Sequence, residues 1–454
     1  MNKKTIACIF AALFLLLSLL PAVGMLLSRQ SVSAANETLS QPPKLLNSAG
    51  KVNLSVLKDT TDYIADHFYL RNKLVNAWAE LNAAVFKTSS EEQVLLGSDG
   101  WLFYASTLDD YMGRGLSDTE LKRAASNLAL IQESVESRGA KFLFTIAPNK
   151  NSLYPAHMPA FVPSSHETSN AEQILPYFSS EGIHYKDLFS VLRGRGEVLY
   201  YKTDSHWNEQ GAALAADSIL AAFGTDADYF DRDFPLSVQH KGDLYEMLFP
   251  TGNFTETAHL YDGFTHSTKG NPNGGNAMRI ETANDNEEGT LLCWRDSFGI
   301  SLYPYLADSF GRALFLRSSS YDLTEMDALQ ADHVLIELVE RNLDWLIRYV
   351  PVMPAPARGI EQDERVIAER SVHVAVKEDS KHELVYVSGE LDVPYNGESV
   401  FLLAGDAAFE TFVTENDGRW SFHAYLSQEQ SAKIESLCIK SDTALLSYPI
   451  LVEN

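Results

Sequence analysis

Thr290-Leu291-Leu292-Cys293-Trp294-Arg295-Asp296-Ser297-Phe298-Gly299 is the stretch of the sequence that decides the fold. An apolar run of this length that stops at polar residues and a glycine is typical of a strand buried on both faces of a parallel sheet. In open α/β sheets, functional side chains lie at the carboxyl ends of the strands. The stretch therefore predicts an α/β domain in which Ser297 is a candidate nucleophile.

A serine hydroxyl needs a base to remove its proton, and the segment Asp204-Ser205-His206-Trp207 offers one. In an extended segment residues two apart point to the same side, so the Asp204 carboxylate can hold one imidazole nitrogen of His206 while the other faces Ser297. A lone Asp-x-His is more often a surface or capping histidine. Together with Asp-Ser-Phe, it favours a Ser297, His206 and Asp204 triad.

These two segments resemble the catalytic pattern of the SGNH-hydrolase-like polysaccharide O-acetyltransferases, which include the AlgX and AlgJ types and the Gram-positive DHHW proteins. The resemblance spans residues 66–345 and includes further segments in the family's order: Asp66–Arg71, Gly97–Tyr104, Tyr111–Gly113, Ala147–Lys150, Tyr154–Pro155 and Glu340–Arg341. As in that family, Asp-x-His precedes the serine, the reverse of the order in ordinary SGNH esterases. The resemblance therefore implies a circularly permuted, three-layer SGNH-hydrolase-like domain.

The resemblance also implies roles for residues around the triad. Asn149 is the candidate side-chain donor of an oxyanion hole, next to the backbone N–H of Ser297. Its alternative is a simple turn with Pro148. Arg295 departs from the SGNH pattern, because it stands where Gly-Asp-Ser has its glycine, and it is a separate candidate for a substrate contact. Trp207 and Lys150 are two more.

Two other features of the sequence have less specific interpretations. Glu340 and Arg341 follow an apolar run, and we expect them to form a structural ion pair more readily than a substrate contact. Cys293 and Cys438 lie in apolar runs and are expected to be buried thiols. No Cys or His spacing resembles a zinc motif, so we expect neither a metal nor a cofactor.

The charge balance of the chain limits its partners. The 454 residues include 36 basic and 61 acidic side chains, a formal net charge of -25. Such a surface is unsuited to nucleic acid and favours a neutral substrate. General solubility of a secreted protein explains the charge equally well.

The first residues predict a location outside the cytoplasm. Lys3 and Lys4 precede an apolar run from Ile6 to Leu27, which just reaches the length that spans a bilayer. We expect residues 1–35 to be a signal anchor with its amino end in the cytoplasm, and residues 36–52 to be a linker. Cleavage near Ser33-Ala34-Ala35, which would release a secreted protein, is the alternative.

The predicted catalytic domain covers residues 53–350. Ser117 and Glu120 form a capping box for a helix that ends at Gly139, and Asn208 caps a helix that ends before Gly224. Residues 249–289 are rich in Gly, Asn, Thr and Asp and predict a long loop over the active site. Because of Pro304, we expect a turn after Ser297 and a helix that begins only near that proline.

A second domain is predicted beyond a linker at 350–358, which holds three prolines. Residues 359–454 show runs of period two separated by turn signals, the pattern of a small β-sandwich. The predicted runs are Ser371–Val376, Glu383–Val387, Ser399–Leu403, Glu410–Thr414, Trp420–Leu426 and Lys433–Ile439. AlgX-type proteins have a C-terminal β domain similar to a carbohydrate-binding module, which is the architecture that the resemblance implies here.

The leading hypothesis is O-acetylation of an extracellular or cell-wall polysaccharide through an acyl-serine. The resemblance implies a polysaccharide acceptor and a membrane-bound O-acyltransferase partner that delivers the acetyl group. A carbohydrate acetylesterase uses the same triad, with water in place of the sugar hydroxyl. The third alternative is a non-catalytic glycan-binding surface protein.

Overall fold

The structure is a computed structural model of the 454-residue chain. It describes residues 3–27, 39–46, 50–164, 169–270, 274–359, 365–440 and 444–453.

Fifteen α-helices lie in the described residues. In chain order, α1 to α15 are Lys3–Leu27, Val56–Asp66, Arg71–Leu81, Leu108–Tyr111, Asp118–Glu136, Lys150–Leu153, Asn170–Gln173, Leu175–Glu181, Leu188–Leu192, Glu209–Phe223, Asp243–Leu248, Gly299–Asp308, Thr324–Leu329, Trp345–Arg348 and Gln428–Ser431.

The same residues form twenty-one strands. In chain order, β1 to β21 are Val94–Leu96, Leu102–Tyr104, Lys141–Ala147, Tyr185–Asp187, Leu236–His240, Glu256–Leu260, Ser267–Thr268, Arg279–Ala283, Thr290–Trp294, Arg312–Leu316, His333–Val339, Ala357–Arg358, Arg365–Ile367, Val372–Asp379, Leu384–Glu390, Ser399–Ala404, Ala407–Glu410, Phe412–Asn416, Arg419–Leu426, Ile434–Lys440 and Leu445–Glu453.

The central sheet has seven strands in the order β4-β3-β11-β9-β10-β8-β7. The first five strands in this order are parallel, and β8 and β7 add antiparallel pairs at one edge. The strand β9, which carries the sequence TLLCW, lies inside the sheet between β11 and β10. This placement explains its continuous apolar run, because a central strand is covered on both faces.

Helices cover both faces of this sheet. Leu291 and Cys293 of β9 pack in one apolar core with helices α10 and α12, while Leu292 and Trp294 pack in a second core with α5. Successive side chains of a strand point to opposite faces, so one strand contributes to both cores. The predicted α/β domain is therefore confirmed, with helices, sheet and helices as its layers.

The helix signals in the sequence are reproduced locally. Ser117 and Glu120 form the capping box at the start of α5. The Asn208 side chain accepts a hydrogen bond of 3.0 Å from the Gly211 backbone N–H at the start of α10, which ends at Gly224 in a left-handed conformation. A helix cap depends only on residues a few positions apart in the sequence, so the sequence predicts these helix ends well.

The expected interruption at Pro304 is wrong. The helix α12 runs from Gly299 to Asp308 with Pro304 inside it. The proline removes one backbone hydrogen bond, which would join its N–H to the Ile300 carbonyl. Leu302 and Leu306 of the same helix are buried in the core, and this packing maintains the helix.

The long loop predicted for residues 249–289 is also wrong in part. Strands β6, β7 and β8 lie within it, and β8 pairs with β10 as part of the central sheet. In β8 only Ile280 and Thr282 are buried, and the buried threonine hides the alternation of apolar and polar residues. Backbone pairing, which composition does not reveal, decides its structure.

The C-terminal region is β-rich, as predicted. Its strands follow the order β12-β17-β16-β20-β21-β14-β15-β19-β18, and β13 pairs with β21. The predicted run Glu410–Thr414 is divided at Thr411 between β17 and β18, and the final strand β21 was not predicted. The domain boundaries, including 53–350 and 359–454, stay predictions.

The structure does not test the predicted N-terminal anchor. Among the residues whose side chains the structure describes, no helix has the length and apolarity needed to cross a membrane. The side chains of residues 17, 18, 20–22, 26 and 27 in α1 are not in that set, and the possible cleavage site at Ser33 to Ala35 lies outside the described residues. The anchor stays a prediction.

Asn127 joins the β-rich region to the α/β domain by hydrogen bonds, and this contact predicts a contribution to stability. Its amide donates hydrogen bonds of 2.8 Å to the Leu346 and Val413 carbonyls, and the Val413 backbone N–H donates to its oxygen at 3.3 Å. Asn127→Ala leaves these buried groups without partners and should lower the free energy of unfolding by about 2 kcal/mol. Urea denaturation measures it, with the exposed Asn416→Ala as control. An unchanged value would contradict this account of the interface.

Candidate active site

Ser297 lies in the turn between β9 and α12, and the neighbouring aspartate fixes this turn. The Asp296 Oδ2 atom accepts hydrogen bonds of 2.8 Å from the Val339 backbone N–H and from the Asn342 amide. Its Oδ1 atom accepts one of 2.9 Å from the Phe298 backbone N–H. Asp296 is buried, so these bonds hold the serine at a defined place at the carboxyl end of the sheet.

The histidine segment is attached to the same turn by Trp207. This indole is fully buried, and its N–H donates a hydrogen bond of 3.1 Å to the Phe298 carbonyl. The rings of Trp207 and Phe298 meet edge to face with centroids 5.0 Å apart. Asn208 then starts helix α10, so His206 has a rigid support on both sides.

The structure brings together the three residues predicted as a triad. The His206 Nε2 atom is 2.8 Å from Ser297 Oγ, and its Nδ1 atom is 2.7 Å from Asp204 Oδ1. Both distances are within hydrogen-bond range. The arrangement can deprotonate an attacking hydroxyl and stabilise the resulting imidazolium. The catalytic role of the three side chains stays a prediction.

A second histidine binds the other oxygen of Asp204. His240 Nε2 is 2.9 Å from Asp204 Oδ2, which also accepts a hydrogen bond of 3.0 Å from the Asp243 backbone N–H. Burial alone would raise the pKa of Asp204, but the hydrogen bonds and charges of His206 and His240 hold this pKa well below its usual range. Asp204 is therefore kept ionised in a buried position.

Asp243 places a second carboxylate close to the imidazole. Its Oδ2 atom is 3.7 Å from His206 Nδ1 and accepts a hydrogen bond of 2.6 Å from the Ser205 hydroxyl. Burial and the charge of Asp204 raise the pKa of Asp243. Ligand atoms of Asp204, His206 and Asp243 lie within 4.8 Å of one another. Since Asp204 and His206 already bond to each other, the group fits an oriented imidazole better than a metal site.

Gly242 allows this close approach. A Cβ atom there would lie 2.2 Å from the Thr203 carbonyl oxygen, closer than any side chain can come. The backbone of residues 242–243 therefore packs directly against the loop that carries Asp204. Glu256 on β6 holds the same loop, because it accepts hydrogen bonds of 2.9 and 2.7 Å from the backbone N–H groups of Lys202 and Thr203.

Lys150 supports the loop from the other side. Its ammonium donates hydrogen bonds of 3.2, 3.0 and 2.5 Å to the carbonyls of Tyr201, Lys202 and Asp204. The side chain is 4% exposed, and burial lowers its pKa to about 8 despite the nearby charge of Asp204. The predicted substrate contact is thus corrected, since all the hydrogen bonds described for the ammonium go to this loop and the rings of Trp101 and Phe103 lie 5.7 and 5.4 Å from it.

The structure also corrects the substrate contacts predicted for Arg295 and Trp207. Arg295 is 1% exposed and donates hydrogen bonds of 2.6 and 3.1 Å to the carbonyls of Gly275 and Ala277. It therefore holds the segment before β8 against the nucleophile turn. Trp207 has no exposed surface and joins the histidine segment to that turn. Neither side chain offers a surface to a substrate.

Asn149 has a different environment from the one predicted. Its backbone N–H donates a hydrogen bond of 2.9 Å to Glu340, and the Oδ1 atom of its buried side chain has no hydrogen-bond partner. The described residues show no hydrogen bond between Asn149 and Ser297, so the oxyanion role stays a prediction. The described residues show no ion pair of Glu340 with Arg341. Glu340 Oε2 accepts from the Asn149 N–H and the Ser152 hydroxyl, and Arg341 lies over the rings of Tyr104 and Phe298 at 5.6 and 5.3 Å.

Sequence reasoning did not identify His240, Asp243 or Glu256 as part of this site. They lie 36, 39 and 52 residues beyond Asp204 in the chain and belong to no motif quoted above. The adjacent Gly242 was the one available signal, because glycine permits a close backbone approach.

Comparison with known proteins agrees with this architecture. Residues 94–276 match the family model described as the SGNH hydrolase-like domain of acetyltransferase AlgX. The predicted resemblance to the SGNH-hydrolase-like acetyltransferases is confirmed, and the predicted enzyme class agrees with the name of this family. The match includes the Asp204 and His206 segment and ends before Ser297.

Three individual proteins illustrate the similarity. The chain is 28% identical over 257 residues to the probable alginate O-acetylase AlgJ of Pseudomonas syringae pv. tomato, covering 54% of this chain and 61% of the relative. Among solved structures, Bacillus cereus PatB1 with a sulfonyl adduct has a TM-score of 0.43 at 18% identity and covers 56% and 96% of the two chains. The O-acetyltransferase domain of Pseudomonas putida AlgJ has a TM-score of 0.39 at 18% identity and covers 55% and 91%. The chain thus spans about three fifths of the length of the first relative.

The buried ammonium of Lys150 predicts a specific dependence of stability on pH. Its pKa is about 8 in the folded protein and ordinarily 10.5, so between these values the unfolded chain binds more protons. The free energy of unfolding should therefore gain a contribution that grows as the pH rises through this window. Denaturation of Lys150→Met should lack that contribution, while the exposed Lys377→Met keeps it. The same pH profile in Lys150→Met and the unaltered protein would contradict the assignment.

His240 gives a prediction of the opposite sign. Burial lowers its pKa, but the hydrogen bond and charge of Asp204 outweigh this and raise it above 6.5. Its stabilising contribution is fully present below pH 6.5 and is lost as the pH rises through the raised pKa. The stability difference between the unaltered protein and His240→Ala should therefore shrink with rising pH. His259→Ala, at an exposed histidine, should show no such trend. A difference that grows with pH would refute the contact with Asp204.

Proposed function

We propose that this protein transfers an acetyl group to a hydroxyl of an extracellular or cell-wall polysaccharide through an acyl-serine at Ser297. The observation that carries the proposal is the continuous hydrogen-bonded chain from Ser297 Oγ through the two nitrogens of His206 to Asp204. The family match and the names of the relatives support acetyl transfer as the reaction class.

The first half of the proposed reaction acylates the serine. Ser297 Oγ attacks the carbonyl carbon of the acetyl donor while His206 Nε2 takes its proton. Asp204 stabilises the imidazolium that forms, and His240 keeps Asp204 ionised. The imidazolium then gives the proton to the departing group of the donor, and the acetyl group remains on Ser297.

The second half of the reaction passes the acetyl group to the sugar. An acceptor hydroxyl attacks the acyl carbon and loses its proton to His206 Nε2. When the tetrahedral intermediate collapses, the ester forms on the sugar and the proton returns to Ser297 Oγ. Helix α12 begins at Gly299, two residues after Ser297, and the positive end of its dipole favours the developing oxyanion.

The proposed reaction needs a location and a partner outside the cytoplasm. The apolar run Ile6–Leu27 is the proposed anchor, with the catalytic domain on the outer side. A membrane-bound O-acyltransferase is the proposed source of the acetyl group. We further propose that the β-rich region is a sandwich-type accessory domain, because strands of both its halves share one apolar core.

Ser297→Ala tests the proposal with a chromogenic acetyl ester as the donor. The unaltered protein should release the chromophore, and the variant should lose at least about a thousandfold in rate, because it has no nucleophile. Ser301→Ala, a serine on the next helical turn, is the matched control and should retain activity. Equal rates in Ser297→Ala and the unaltered protein would exclude the acyl-serine.

Added oligosaccharide separates transfer from hydrolysis. Acetylated sugar in the products is the expected result for a transferase. Free acetate at a rate that sugar does not change identifies an esterase, which water access to the partly exposed His206 would allow. Sugar binding with no ester cleavage by the unaltered protein identifies a non-catalytic glycan-binding protein.

A further inference from the structure

A small polar cavity lies at the same edge of the sheet as Ser297. It has a volume of about 200 Å³, and its lining includes Asp110, Asn149, Asn151, Glu172 and Arg193. Pro155 and Ser164 at its rim are exposed, whereas Asn149 and Asn151 are 1% and 2% exposed. The cavity therefore joins a buried polar floor to the solvent.

Two buried acceptor atoms on the cavity lining have no partner among the described residues. These are the Oδ1 atoms of Asn149 and Asn151. The Asn151 amide N–H is already used, since it donates a hydrogen bond of 3.3 Å to the Thr107 carbonyl. A buried acceptor without a donor is unfavourable, so a ligand group that donates a hydrogen bond to either oxygen would be favoured there.

The cavity is close to the nucleophile because of the strand register. Ile336 of β11 pairs with Trp294 of β9, and Val339 pairs with Ala147 of β3. Ser297 and Asn149 therefore follow parallel strands at a similar level, with β11 between them. Two strand spacings amount to about 10 Å, a separation that neighbouring sugar units of one polymer can span.

One short segment connects the cavity to the triad. Lys150 reaches the carbonyls of the loop that carries Asp204, while the residues on either side of it, Asn149 and Asn151, line the cavity. The segment that positions the catalytic loop thus also forms the cavity floor. A ligand in the cavity lies beside the triad and not in a separate part of the fold.

The charges around the cavity disfavour an anionic ligand. Asp110 and Glu172 line it, and Glu340 lies behind it, where the Ser152 hydroxyl donates to Glu340 Oε2 at 2.6 Å. Arg193, the one cationic side chain among the described residues of the lining, lies 3.5 Å from Glu172. Burial raises the pKa of Asp110, and burial together with the charge of Asp110 raises the pKa of Glu340 to about 7. These acidic groups already repel one another, so a further carboxylate on the ligand is disfavoured, whereas a neutral hydroxyl would find acceptors.

We infer that this cavity is a subsite for a neutral, hydroxyl-rich sugar unit of the acceptor, held by hydrogen bonds to the Asn149 and Asn151 carbonyl oxygens. The inference rests on the proposed acetyl transfer and names the class of its acceptor. It excludes a uronate unit from this position, although the relatives are named for alginate.

The inference is tested by measuring how the acetyl group of the acylated protein is divided between water and each of two matched acceptor sugars. The protein is acylated with 4-nitrophenyl acetate, and glucose or glucuronate, which differ by one carboxylate, competes with water for the acyl group. Acetyl glucose should form with saturable dependence on glucose, and glucuronate should require at least about tenfold higher concentration. Equal or better use of glucuronate, or no capture by either sugar, would overturn the inference. This comparison needs no variant.

Variants at Asn151 test the contact itself. Asn151→Leu should keep the initial burst of nitrophenolate but lose about tenfold in transfer to glucose, because the acceptor oxygen is absent. Asn416→Leu on the β-rich region is the control and should behave as the unaltered protein. A normal burst with unchanged partition in Asn151→Leu would refute the subsite and leave the proposed function intact. Absence of the burst in the unaltered protein would contradict both the subsite and the proposed function.

Discussion

The buried carboxylate of Asp204 is the constraint on which the site depends. An ionised carboxylate away from water is stable only when hydrogen bonds and opposite charges surround it. Here one oxygen contacts the imidazole and backbone N–H of His206, and the other contacts His240 and the backbone N–H of Asp243. The loop from 200 to 207 and the segment that joins β5 to α11 are both placed by this requirement.

The sheet supplies the rest of the geometry. The nucleophile turn is fixed to β11 through Asp296, and Trp207 joins that turn to the histidine loop. Lys150 extends the same network to the end of β3. Three neighbouring strands therefore hold the groups that must act together, and no long flexible side chain has to find its position during the reaction. Such preorganisation is a main source of catalytic power in enzymes.

The sequence predicts the parts of this structure that depend on near neighbours. The apolar run of β9, the capping box of α5 and the pairing of Asp204 with His206 are all legible over a few residues. His240 and Asp243 reach Asp204 only through the close packing of Gly242 on Thr203, which no local pattern reports. The burial of Arg295 and Lys150 is likewise a consequence of tertiary packing, since isolated charged side chains favour the surface. For the same reason, helix α12 tolerates Pro304 and a strand forms at Arg279–Ala283.

The central claim is that Ser297 becomes covalently acetylated with His206 as its base. Peptide mass spectrometry after brief incubation with 4-nitrophenyl acetate and an acid quench measures this directly. The account predicts an acetyl group on the peptide that contains Ser297, and its loss from the same peptide of His206→Ala. An acetyl group found only on other residues, or equal labelling of Ser297 without His206, would contradict it.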